Sequence, residues 1–170
     1  MKTKLLLTIT LAFIGWSNNA NSQVMIKDIV PGASGSILPF TYNLLTNVNN
    51  TAFFVADDGI NGLELWKSDG TTAGTVMVKD INTTGSSYIS GLTNVSGTLF
   101  FAASDSAYNI ELWKSDGTAT GTVMVKDICT YVAGCGSGPT FLTNVKGTLY
   151  FSASDNFPNG RELWKSDGTT

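Results

Sequence analysis

Glu-Leu-Trp-Lys-Ser-Asp-Gly-Thr stands at 64–71, and the same eight residues return at 111–118 and again at 162–169. An octet used three times marks a structural unit used three times, so the repeat is read before any active site is sought. Inside the octet, Asp-Gly is strong turn chemistry: glycine reaches positive φ without strain and the aspartate accepts bonds from turn amides. The octet and the run after it therefore form one hairpin, Leu65–Ser68 leading through Asp69–Thr75 into Val76-Met77-Val78.

Working outward, Val76-Met-Val-Lys-Asp-Ile81 returns as Val123-Met-Val-Lys-Asp-Ile128 and, ahead of the first octet, as Val24-Met-Ile-Lys-Asp-Ile29. A variable segment follows each, then Leu-Thr-Asn-Val at 45–48, 92–95 and 142–145. A polar pair (Asn49-Asn50, Ser96-Gly97 or Lys146-Gly147) leads into Thr51-Ala-Phe-Phe54, Thr98-Leu-Phe-Phe101 and Thr148-Leu-Tyr-Phe151. Each unit thus holds four short runs of β-branched and aromatic residues punctuated by Gly, Asn, Asp and Ser, which are strand and turn signals. No stretch after the leader keeps a helical period. Leu99-Phe-Phe-Ala-Ala103 is apolar at consecutive positions, so both faces of that strand are expected to be covered.

Four antiparallel strands in roughly 40–50 residues is the pattern of a propeller blade. The expected fold is all-β: a propeller-like tandem repeat of three four-stranded units at about 24–75, 76–122 and 123–170. Three blades are too few for a ring, so an open arc, an oligomer or a fragment is expected. The run Val24–Ile29 is expected to complete the last unit if the ring closes, since Thr170 falls inside a repeat.

The octet followed by Gly-Thr-Val-Met-Val-Lys-Asp-Ile resembles the ELWxxDGT tandem-repeat family of exported bacterial proteins, and the resemblance covers the chain from 23 onward. It implies a β-propeller. Longer members often end in a sorting domain for type IX secretion, which has no counterpart in this sequence. The shared motif is structural and brings no catalytic residues with it.

Residues 1–22 read as a secretory signal peptide: Lys2 and Lys4, an apolar run from Leu5 to Trp16, and Ala20-Asn21-Ser22 before Gln23. The apolar run is shorter than the roughly 20 residues a spanning helix needs, so no transmembrane segment is expected after cleavage. The chain carries net charge −3, and losing the two leader lysines makes it more acidic, which argues against nucleic acid or an anionic membrane surface as a partner. It contains no histidine, which removes Ser-His-Asp and Cys-His catalysis and His-ligated zinc. In an exported protein Cys129 and Cys135 are expected to close a local disulfide.

Trp66, Trp113 and Trp164 are expected to pack between neighbouring units, and Asp69, Asp116 and Asp167 to cap their own turns. The octet glutamates and lysines, and the Lys-Asp pairs at 27–28, 79–80 and 126–127, are read as solvent-facing charges. Asp57, Asp58, Asn61 and Glu64 form the one acidic cluster richer in a single copy and are the candidate calcium site. No other cofactor is expected.

Recognition is expected in the segments that differ between units, with Phe40, Tyr42, Tyr88, Tyr108 and Tyr131 as candidate anchors; Phe40 and Phe141 are equally readable as core residues at strand edges. The resulting expectation is a non-catalytic scaffold, secreted or at the cell surface, that binds a surface protein or glycan and is capable of self-association. The alternatives are a propeller-type glycosidase or lyase working with two carboxylates, or a purely structural surface protein.

Overall fold

A computed structural model describes residues 23–32, 35–37, 45–105, 109–130, 134–156 and 159–169. Residues 1–22, read above as a signal peptide, and Phe40, Tyr42, Tyr108 and Tyr131 lie outside these residues. The described chain is all-β, without a helix, in three antiparallel sheets of four, four and three strands, none closed into a barrel. Among the described residues no helix is long and apolar enough to cross a membrane.

The first sheet runs β1 (Leu45–Val48), β2 (Thr51–Asp57), β3 (Leu63–Ser68), β4 (Val76–Lys79). The second repeats it with β5 (Ser90–Val95), β6 (Thr98–Ser104), β7 (Ile110–Ser115) and β8 (Val123–Lys126). The third holds β9 (Thr140–Val145), β10 (Thr148–Ser154) and β11 (Arg161–Ser166). It has three strands where four were expected from the repeat. The Val24–Ile29 run forms no strand with β11; it lies on the first sheet, where Lys27 Nζ donates to the Thr75 carbonyl at 2.8 Å and Thr72 Oγ1 donates to the Ile26 carbonyl.

Local chemistry accounts for the hairpins. The polar pairs all take positive φ, Asn49 and Asn50 at 51° and 63°, Ser96 and Gly97 at 52° and 88°, Lys146 and Gly147 at 52° and 84°. That is the two-residue turn whose twist suits antiparallel strands. In the octet turn, Asp69 Oδ1 accepts from both the amide and the hydroxyl of Thr71, and Asp116 and Asp167 do the same for Thr118 and Thr169. These bonds hold all three carboxyls below the ordinary aspartate range, with the Thr71 and Thr118 hydroxyls the larger influence in the first two and the Thr169 amide in the third.

The core lies between the sheets. Leu99, Phe100, Phe101, Ala102 and Ala103 are all buried, because β6 is covered on both faces. Val48, Phe53, Val55 and Leu65 of the first sheet meet Leu99, Phe101, Ala103 and Trp113 of the second. Val95, Phe100 and Leu112 meet Leu149, Phe151, Ala153 and Trp164 in the same way. Trp66 packs with Phe54, Ala56, Met77 and Ile29.

Some of the repeated charges bridge the sheets or are buried, which corrects the reading of Lys67, Lys79, Lys114, Glu64 and Glu111 as solvent-facing groups, while Asp28, Lys126, Glu162 and Lys165 are exposed. Lys67 Nζ donates to the Gly117 carbonyl at 2.8 Å, and Lys114 Nζ to the Gly168 carbonyl at 2.7 Å. Lys79 Nζ donates to the Thr122 carbonyl at 2.8 Å and lies over the Trp113 ring. A lysine aimed at a neighbour's carbonyl makes a charge-assisted bond beside a packed aromatic, which fixes the register of one sheet on the next. Glu64 and Glu111 are fully buried, whereas Glu162 is exposed. Burying a carboxylate requires partners, and the connections between sheets supply them: Ile81 N to Glu64 Oε2 at 2.9 Å, and Ser137 N to Glu111 Oε1 at 2.7 Å.

Candidate functional site

The first strands of the sheets, β1, β5 and β9, lie side by side and run in the same direction. Asn94 Nδ2 donates to the Asn47 carbonyl at 2.8 Å and Asn144 Nδ2 to the Asn94 carbonyl at 2.9 Å, so the Leu-Thr-Asn-Val asparagines form a ladder across the three sheets. Thr93 Oγ1 donates to the Leu142 carbonyl one step nearer the strand start. These bonds fix which residues share the rim where the first strands begin.

At that rim the sheets differ. The ladder between β5 and β6 shifts register between Ser90 and Thr93, and that between β9 and β10 shifts between Tyr150 and Ser152, so β5 and β9 each open with a β-bulge, whereas β1 pairs with β2 without a shift. Gly91 occupies the second-sheet bulge at φ 68°. Phe141 occupies the third-sheet bulge at φ 56° and is 85% exposed. Three residues earlier the roles reverse: Gly138 has φ 53° in the third sheet and Tyr88 has φ 52° in the second, 58% exposed. Left-handed backbone costs a non-glycine residue about 1–2 kcal/mol, and an exposed ring recovers little of that by burial. Bulges that re-aim side chains, and strained residues over-determined by their surroundings, concentrate at recognition sites.

Arg161 completes the rim. Its Nη1 donates to the Gly138 carbonyl at 2.9 Å and to the Ser152 carbonyl at 3.3 Å, with Thr140 Oγ1 at 3.4 Å. The corresponding residues before the other two octets are Leu63 and Ile110, so the guanidinium belongs to the third sheet alone. Phe141 follows directly on Thr140, whose Oγ1 lies 3.4 Å from the Arg161 guanidinium, so an exposed aromatic and charged donors stand at one strand end, which suits a sugar ring or a polar peptide segment.

Among the candidate anchors named from sequence, the described residues include only Tyr88, and it stands at this rim. Phe141, equally readable there as a core residue, is exposed. Arg161 was missed, although aligning the units would have shown Ile110 replaced by arginine and Gly91 by phenylalanine.

The acidic cluster is otherwise occupied. Asp57 Oδ1 accepts from Gly59 N at 2.7 Å, and Asp58 accepts from the amides of Ile60 and Asn61 and from Asn61 Nδ2. The Asn61 amide bond leads in holding the Asp58 carboxyl below its ordinary range. Glu64 points into the connection after β4, and among the described residues no group of three or more His, Cys, Asp or Glu side chains could hold a metal ion. Cys129 and Cys135 form a disulfide in the connection between the second and third sheets, with Cys129 buried. The three tryptophans are packing residues in this arrangement, Trp66 and Trp113 buried and Trp164 half-buried.

Comparison with protein-family models, with curated proteins and with solved structures finds no match for this chain.

Proposed function

We propose that this chain is an exported, non-catalytic repeat scaffold of propeller-like blades that binds a surface protein or glycan through the rim formed by Tyr88, Phe141 and Arg161. The observation that carries this reading is the exchange of glycine for an exposed aromatic at two left-handed positions, Gly138 against Tyr88 and Gly91 against Phe141. The backbone demands the same φ in both sheets, and only one sheet at each position fills it with the residue that φ favours. The octet's resemblance to the ELWxxDGT repeat family of exported bacterial proteins and the basic-apolar-polar order of residues 1–22 support export to the cell surface.

The repeated carboxylates support a scaffold rather than an enzyme. Glu64 and Glu111 hold inter-sheet connections, and Asp69, Asp116 and Asp167 hold turns, so these acids are engaged in structure. The test is a glycan array together with capture of surface-protein extracts, comparing the native chain with a Phe141→Gly/Arg161→Ala variant. Retention by native chain and at least tenfold weaker retention by the variant supports the rim as the site. Equal retention by both places binding elsewhere, and turnover of a polysaccharide by the native chain overturns the non-catalytic reading.

A further inference from the structure

We infer that the connection after the first sheet binds a hard divalent cation, of the calcium and magnesium class, between Glu64 Oε1, Asp80 Oδ1 and Ser87 Oγ. All three oxygens are shut off from solvent, and none has a hydrogen-bond partner among the described residues. Glu64 and Ser87 are fully buried. The Ser87 hydroxyl lies against the Glu64 carboxylate but outside the geometry of a hydrogen bond, and the charge of Asp80 acts on the same carboxylate. Two carboxylates and a hydroxyl therefore meet at one buried place. A carboxylate oxygen taken out of water needs a donor or a cation, and these three oxygens have neither among the described side chains.

The second sheet shows the same glutamate satisfied by the chain alone. Ser137 gives its amide to Glu111 Oε1 at 2.7 Å and its hydroxyl to Oε2, so neither Glu111 nor Ser137 keeps a buried oxygen without a partner, and Asp127 is exposed to water. The difference lies in the register of the two connections. Ser154 N donates to the Ser137 carbonyl as Ser104 N does to the Ser87 carbonyl, which makes Ser87 and Ser137 counterparts. In the second connection the next residue, Gly138, gives its amide to the Ile110 carbonyl at 2.9 Å, and Ser137 keeps its own amide for the glutamate. In the first, Ser87 itself gives its amide to the matching Leu63 carbonyl at 3.0 Å. Glu64 Oε1 thus lacks the donor that Glu111 Oε1 receives, while Oε2 is still met by Ile81 N at 2.9 Å.

The donor set selects the ion. Carboxylate and hydroxyl oxygens are hard ligands, the chain has no histidine, and its two cysteines are joined in a disulfide, so the metals that prefer imidazole or thiolate are not served. Two negative charges on one ion favour a divalent cation over sodium or potassium. Two acids are fewer than an all-carboxylate cage has, and hard cations complete such a shell with carbonyl oxygens and water. The ion ties β3, which carries Glu64, to the connection after β4, which carries Asp80 and Ser87. Ser87 precedes Tyr88 and its carbonyl accepts from β6 at 2.8 Å, so the same ion steadies the contact between the first two sheets beneath the exposed ring.

The test is calcium binding by the purified full chain at pH 8, followed by equilibrium dialysis and by thermal melting after treatment with chelator, with magnesium as the second ion. One ion per chain is expected, with the melting point raised by about 5 °C at saturation. Asp80→Asn and Ser87→Ala are expected to bind at least tenfold more weakly and to lose most of that rise. Glu64→Gln is expected to gain nothing from either ion, whereas Glu111→Gln responds as the native chain does. Should Ser87→Ala or Glu64→Gln fail to fold, Asp80→Asn, at a half-buried side chain, decides the matter. No binding of either ion at about 1 mM, the weak end for extracellular calcium modules, would mean that a proton or a trapped water satisfies these oxygens, and overturns the proposal. Binding that survives both Asp80→Asn and Glu64→Gln places the ion elsewhere and overturns it too. Glycan or protein retention by a chain that binds no ion would leave the rim reading standing while this one falls.

Discussion

Ser137 donates its amide to Glu111 Oε1 at 2.7 Å and its hydroxyl to Oε2 of the same carboxylate, across 26 residues of sequence. The octet glutamate is thereby the receptor for the connection that brings the chain from one sheet to the next. Ile128 N approaches the same Oε2 at 3.4 Å from the start of that connection. Glu111→Ala leaves buried donors without an acceptor, at about 1–3 kcal/mol for each lost bond, so a loss of about 2–4 kcal/mol is expected in urea unfolding. Glu162→Ala, at the exposed counterpart, is expected within about 0.5 kcal/mol of the native chain. Equal effects at the two positions would refute the assignment of Glu111 to the connection.

Glu64 gives a pH signature. Burial raises its carboxyl from 4.5 to about 7, opposed only in part by bonds such as that from Ile81 N. A carboxyl whose folded pKa exceeds its unfolded one binds more protons when folded, so its contribution is complete below about 4.5 and is lost as pH rises through about 7. Glu64→Gln, which keeps an acceptor for Ile81 N and removes the charge, is expected to flatten this slope and melt higher than the native chain at pH 8. An unchanged pH profile would show that the carboxyl is not desolvated as the fold requires. Glu111 is raised by the same cause, so the double variant should flatten the profile further.

The strands, their turns and the tryptophan packing were legible because the repeat shows each signal three times over. The roles of Glu64, Glu111, Lys67 and Lys114 were not. Alternation along a strand says that Glu64 and Leu65 face opposite ways, but both faces of these strands are covered, so polarity no longer marks the outside. A carboxylate there is tolerated because a connection from another part of the chain brings donors to it, and that is a long-range fact. The rim was half legible: Tyr88 stood out as an aromatic in a variable segment, whereas Phe141 adjoins Leu142-Thr-Asn-Val145 and looked like strand. Only its φ and its exposure separate it from Phe100 or Phe151.

The octet turn extends beyond the octet. A Cβ on Gly121 would stand 2.1 Å from Asp116 Oδ1, so the glycine of Gly121-Thr-Val is required by the aspartate that caps the turn. Gly121→Ala is expected to cost about 1–3 kcal/mol by overpacking. Asp116→Ala in the same chain removes the obstacle, so most of that loss should return in the double variant. Independent, additive losses in urea unfolding would show that the glycine is held for some other reason.

Phe141 separates stability from binding. At φ 56° and 85% exposed, its ring adds strain and buries little, and Gly91 shows that the bulge accepts glycine. Phe141→Gly is therefore expected to keep the fold and gain about 1 kcal/mol in urea unfolding, since the relief of left-handed strain exceeds the entropy that glycine restores to the unfolded chain. Tyr88→Gly should behave alike, because Gly138 fills the matching position in the third sheet. A residue kept only for the fold would lose stability when cut back to glycine. A gain in stability together with at least tenfold weaker retention on the captured glycan or protein would mean that the ring is held in strain for recognition, whereas a loss of stability would mean that the ring packs and the rim reading fails.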